Sequence, residues 1–150
     1  MTAKRKDDVY YVCSLIEFIA RQTKNHRGTV AARIGHDGIA RLLDAAEVNH
    51  CLSFEQVADE VIEAYGITPG DFDTVAGCEY TVPGYLDIGR VYQTLVLDTM
   101  QDDAAQAILD VFTSFLSDEI SNFNSSVRSE EHTSETPVTV RALSRMPSSA

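Results

Sequence analysis

Apolar residues recur three and four positions apart along most of this chain, the period of a helix with one buried side. Val9, Val12, Ile16 and Ile19 set the first stripe, and Tyr11, Leu15 and Phe18 widen it. Asp7 or Asp8 is expected to cap that helix, which runs to about Thr23. Lys24, Asn25, His26, Arg27 and Gly28 then suit a helix end, with cations near the negative dipole end and a glycine to turn the chain. Thr29 opens a short helix through Ile34, and Gly35 stops it. Asp37 starts another, with Ile39, Leu42, Leu43 and Ala46 on one side. Ser53 and Gln56 form a capping box ahead of Phe54, Val57, Val61, Ile62 and Tyr65, and Gly66 ends that helix.

Residues 67–83 are the one long irregular stretch, marked by Pro69-Gly70; Cys78–Val82 has strand character but no evident partner, so a loop with its own packing is expected. Helix resumes at Gly84 or Tyr85, with Ile88, Val91, Tyr92, Leu95 and Val96 apolar. Asp102-Asp103 lies at the start of a last helix whose stripe is Ile108, Val111, Phe112, Phe115, Leu116 and Ile120. The expectation is an all-α fold: a single bundle of about six helices with an irregular connection at about 67–83 and no internal repeat.

Residues 128–150 carry no apolar period. They resemble a conceptual translation of a short-read sequencing adapter: AGATCGGAAGAGCACACGTCTGAA translates directly to Arg128 through Glu135. The adapter's far end translates to Ser144 through Ala150. The expected organisation is therefore a helical domain over 1–127, truncated at its C-terminus, followed by a disordered, non-native tail over 128–150.

The formal net charge is −11, and the tail, with three Arg and three Glu, contributes nothing to it. Such an acidic balance argues against nucleic acid, which needs its phosphates neutralised. It favours solubility and a basic protein partner. Three widely spaced cysteines, Cys13, Cys51 and Cys78, make neither a disulfide framework nor a metal knuckle. No signal-type or membrane-spanning run is present, so a cytoplasmic protein without cofactor or metal is expected.

Two polar groupings stand out. Arg21, Lys24, His26, Arg27 and Arg33 form a local basic patch, a candidate site for an anion or an acidic partner, and equally a solvated helix end. Glu47, Asn49, His50 and Cys51 form a possible polar site, although adjacent residues do not share a helix face. Residues 29–46 also have the outline of a helix-turn-helix, with Arg27, Arg33 and Arg41 nearby. Asp37 at the start of its second helix speaks against base contacts. No nucleophile elbow, phosphate loop or zincin motif is present, so no catalytic residue is assigned.

The segments Tyr10–Arg21, Lys24–Gly28, Ala46–Ser53 and Tyr80–Tyr92 resemble an uncharacterised family of small helical bacterial proteins, over most of residues 8–125. The first part is distantly similar to domains of unknown function found beside toxin-like genes. The resemblance implies an interaction protein, antitoxin-like, with no catalytic residues to carry over. The alternatives are a DNA-binding regulator using residues 29–46 and a small enzyme centred on Asn49, His50 and Cys51.

Overall fold

The computed structural model describes residues 3–72 and 84–114. These form five helices and, among the described residues, no strand: α1 (Ala3–Thr23), α2 (Arg27–Asn49), α3 (Phe54–Tyr65), α4 (Tyr85–Thr99) and α5 (Ala104–Thr113). The all-α expectation holds. Cys78, the strand-like Cys78–Val82, the apolar residues Phe115, Leu116 and Ile120, and the 128–150 tail lie outside the described residues.

α1 is the centre of the fold. It packs against α4 and α2, while α2 packs on α5, α4 meets α5, and α3 lies along α1 and α2. Val9, Val12, Cys13, Leu15, Ile16 and Ile19 are all fully buried. Each such aliphatic side chain contributes about 1.5–3 kcal/mol by leaving water. Burial among them pushes the Cys13 thiol far above its ordinary range, which leaves it a small inert core group.

The first helix starts earlier than the aspartates suggest. Asp8 does not cap it; Asp8 lies inside the helix, buried, and accepts a hydrogen bond from Lys4 Nζ at 3.1 Å. The i, i+4 pair supports an extra N-terminal turn. At the other end Lys24, with φ 58°, takes the left-handed conformation that glycine usually supplies. The Asn25 N–H reaches back to the Ala20 carbonyl at 3.0 Å and closes the helix. Gly28 is therefore not the turn residue. It lies in the first turn of α2, where a Cβ would stand 2.7 Å from the Phe112 carbonyl oxygen. Its bare backbone lets α2 approach α5.

α2 begins at Arg27, ahead of the expected Thr29 cap, and its two expected helices are one element bent at Gly35 (φ 75°, ψ 172°). A residue with a side chain is strained at that φ, so glycine permits the kink. Ser53 caps α3 by accepting from the Gln56 N–H at 3.1 Å, and left-handed Gly66 (φ 62°) ends it, as the sequence predicts. Asp103 likewise caps α5 through the Gln106 N–H at 3.1 Å.

The start of the irregular connection is anchored. The Gly70 and Phe72 N–H groups donate to the Thr23 and Lys24 carbonyls, and Asn25 Nδ2 donates to the Thr68 carbonyl at 2.8 Å. The Phe72 ring stacks on His26, with centroids 3.7 Å apart. Between α1 and α4, a Cβ on Gly89 would stand 2.0 Å from Ser14 Oγ. Serine and glycine thus permit a close approach of α1 and α4, with Ser14 Oγ buried and without a hydrogen-bond partner among the described residues. No described helix is long and apolar enough to cross a membrane.

Candidate functional site

Glu17 is fully buried in the middle of α1. An isolated carboxylate there would cost several kcal/mol. Here it is held from two sides. Arg27 donates through Nε to Glu17 Oε1 and through Nη2 to Oε2 at 2.9 Å, the two-pronged geometry a guanidinium suits. Arg21, one helical turn on, donates to Oε2 at 2.8 Å. Arg27 is itself buried, 5.7 Å from the centroid of the Tyr92 ring, which stacks on Phe112 at 3.9 Å and 6° between planes. Burial by itself would lower the Arg27 pKa; Tyr92 and Glu17 more than offset it, so the guanidinium stays charged.

This arrangement redistributes the basic patch. Arg27 is inside the protein and Arg21 leans onto a buried carboxylate. Lys24 and His26 are exposed at the α1–α2 junction, with His26 under Phe72. Arg33 turns toward α3 and donates to the Tyr65 carbonyl at 3.0 Å, capping that helix; Arg41 donates to the Tyr65 hydroxyl at 3.2 Å. Two of the three arginines beside the helix-turn-helix-like segment therefore tie α2 to α3, and the third is in the core.

The polar group at the end of α2 is also split. Glu47 and His50 line a shallow groove of about 690 Å³ with Lys4, Asp7, Asp8, Tyr10 and Arg90. Its charges answer one another: Lys4 Nζ lies 3.1 Å from Asp8 and 3.6 Å from Glu47, and Arg90 sits 3.9 Å over the Tyr10 ring. The hydrogen bond to Asp8 outweighs desolvation and raises the Lys4 pKa. Asn49 offers its carbonyl to the Tyr11 hydroxyl at 3.5 Å, and Cys51 is exposed in the turn beyond. Asn49 and Cys51 do not line the groove. The Lys24–Arg33 and Glu47–Cys51 groups stand toward opposite ends of α2. Among the described residues no cluster of three or more His, Cys, Asp or Glu could hold a metal ion.

Two groupings escape sequence reasoning. His36, next to the Gly35 kink, bridges carboxylates: Nδ1 is 2.9 Å from Asp37 and Nε2 is 2.7 Å from Asp103, the α5 cap. Hydrogen bonds to Asp37 and then Asp103 raise the His36 pKa, while the Gln106 N–H and then His36 lower that of Asp103. The second grouping is aromatic. The Phe54 ring lies 5.2 Å from Tyr11, 5.8 Å from Phe18 and 5.1 Å from Tyr85, and the His50 ring lies 4.5 Å from Tyr11. Four elements meet there: α1, the turn after α2, α3 and the start of α4. A signal for Glu17 did exist. The run from Val9 to Ala20 is apolar nearly all round, so position 17 has no solvent face to turn to.

No family model matches this chain, and no curated protein or solved structure matches it. The reading of function therefore stands on the geometry above.

Proposed function

We propose that this chain is a protein-interaction module: a small helical bundle of about six helices that holds a basic protein partner, in the manner the antitoxin-like resemblance implies. The carrying observation is the one-signed surface. α3 presents Glu55, Asp59, Glu60 and Glu63, all exposed, and contains no lysine or arginine. Asp98, Asp102 and Asp110 are exposed along α4, α5 and the turn between them, and no lysine or arginine occurs from Val91 to Ser114. The prominent arginines meanwhile serve the fold: Arg27 neutralises Glu17 and Arg33 caps α3. Carboxylates left without counter-charge steer a basic partner into encounter and repel an acidic one.

The test is co-expression with the products of the genes adjacent to its own. The expected result is a stoichiometric complex with a basic protein, whose association slows as salt rises. Failure of every neighbouring product to form such a complex overturns the reading.

A further inference from the structure

We propose that the groove formed by the first turns of α1, the end of α2 and the first half of α4 binds a small zwitterion of the α-amino acid class, with the ligand carboxylate on Arg90 and its ammonium on Asp7. Such a site needs no protein partner and stands independently of the interaction-module reading.

The groove, of about 690 Å³, is lined by side chains of both signs. Two of its carboxylates are answered from within the protein. Lys4 Nζ stands 3.1 Å from Asp8 and 3.6 Å from Glu47, and Arg5 Nη1 lies 4.0 Å from Asp8. Two other lining charges, the Asp7 carboxylate and the Arg90 guanidinium, are exposed and make no ion pair among the described residues. Asp87, one turn back on α4, does not pair with Arg90 either.

Arg90 is nonetheless held in place. Its guanidinium carbon sits 3.9 Å from the centroid of the Tyr10 ring, and Nη1 donates to Gln93 Oε1 at 2.8 Å. Gln93 is buried, and its Nε2 donates to the Lys6 carbonyl at 2.8 Å. The guanidinium is thus oriented by an aromatic platform and by a buried amide fixed to the α1 backbone. Its other N–H groups have no acceptor among the described residues. A fork oriented in this way takes a carboxylate on two prongs and loses little freedom in doing so. Asp7 lies three residues before Tyr10 on α1, and residues so spaced are neighbours on a helix surface.

The charges select the ligand. A phosphate dianion at Arg90 would also meet Asp7, Asp8 and Glu47, which repel it. A metal cation would compete with the Lys4 ammonium, which already stands between Asp8 and Glu47. One molecule carrying a carboxylate and an ammonium a short distance apart satisfies Arg90 and Asp7 together and adds no net charge. The exposed His50 ring lines the same groove beside Tyr10 and suits a planar side chain, so L-phenylalanine is the probe.

The full chain, isotope-labelled, is titrated with L-phenylalanine, with L-phenylalaninamide, which lacks the carboxylate, and with N-acetyl-L-phenylalanine, which lacks the ammonium. At about 10 mM, enough to fill a site of about 1 mM affinity, L-phenylalanine is expected to shift the Arg90 Nε–H, Tyr10 and His50 resonances. Each derivative is expected to bind about ten-fold or more weakly. Arg90→Gln is expected to stay folded, with a melting temperature close to native. It should weaken L-phenylalanine to the level of the amide while leaving the amide's own affinity unchanged; a merely structural role for Arg90 would weaken all three compounds alike. Asp7→Asn should weaken L-phenylalanine to the level of the N-acetyl compound. Absence of any shift at about 10 mM overturns the proposal, as does binding of either derivative at the strength of L-phenylalanine. Native-strength binding by Arg90→Gln places the carboxylate on Lys4 and overturns it too. So do nuclear Overhauser contacts from Met1 to Tyr10 or Arg90 in the free chain, in favour of the chain's own terminal amine.

Discussion

The helix α1 has two contrasting sides. On one, Glu17 is sealed in the core with Arg27 and Arg21 around it. On the other, Tyr11 and Phe18 join Phe54 and Tyr85 in a cluster that remains partly open to solvent. The usual rule puts charges outside and rings inside. Here the charges are inside and fully partnered, so their role is to hold α1 against α2. Phe18, Phe54 and Tyr85 are left half outside, where packing alone gives no reason for them, while Tyr11 itself is buried. The contrast teaches that a polar residue's role is read from its partners, and an apolar residue's from its exposure.

The largest effect that would sharpen this contrast is at Glu17. Glu17→Gln leaves the buried Arg27 charge without its counter-ion and is expected to destabilise the fold by about 3–5 kcal/mol, read from urea denaturation. The double replacement Glu17→Met/Arg27→Met is expected to recover most of that loss, because it removes both charges together. If the single variant unfolds at the native midpoint, the pair is not structural and the contrast breaks.

Next come the close helix approaches. Gly28→Ala places a Cβ 2.7 Å from the Phe112 carbonyl oxygen, which is backbone and cannot swing away. The expected cost is about 1–3 kcal/mol of overpacking, offset in part by alanine's better helix propensity of about 1 kcal/mol. A thermal melt above the native one would show that α2 and α5 have room to part.

A smaller effect is expected at His36, where the sign with pH is the test. Its pKa is raised above the ordinary 6.5, so the folded state holds the proton more tightly than the unfolded chain. That contribution is present below the unfolded value and is lost as pH rises through the folded one. Asp103, lowered from 3.8, contributes above that value and loses its contribution as pH falls through its folded pKa. The clamp is therefore strongest in the acidic window between the two. The stability difference between native protein and His36→Gln should shrink as pH is raised from about 5.5 to about 8. A difference that grows over that range would mean the imidazole is not acting as the cation of the clamp.

The smallest effect belongs to the open side. Val48→Ser and Leu86→Ser are each expected to leave stability within about 0.5 kcal/mol of native by urea denaturation, since both side chains already face water. A larger loss would make the aromatic corner part of the core and erase the distinction between the two sides of α1.

Much of the helical framework was legible beforehand. Ser53 with Gln56, Asp103 before the last helix, and Gly66 act locally, through backbone groups within a turn of themselves, so their roles can be read from neighbours in the chain. The stripe Val9, Val12, Ile16, Ile19 was legible for the same reason. Gly28 looks like a turn residue in the sequence because its true constraint comes from Phe112, far away in the chain. Linear proximity suggests a surface shared by Arg27 with Arg21, Lys24, His26 and Arg33. The fold instead turns Arg27 inward to Glu17 and Arg33 toward the end of α3. The aromatic corner was invisible because its rings come from four separate segments.

The sequence by itself determined that the chain is helical, where most of its helices end, and that the charge is strongly acidic; these follow from period, caps and composition, which are local or additive. Only the tertiary structure decided which charges are silent and which are presented. A carboxylate's partner, a glycine's neighbour and a ring's exposure depend on contacts between residues distant in the chain, and those exist only once α1 is enclosed by α2, α3 and α4.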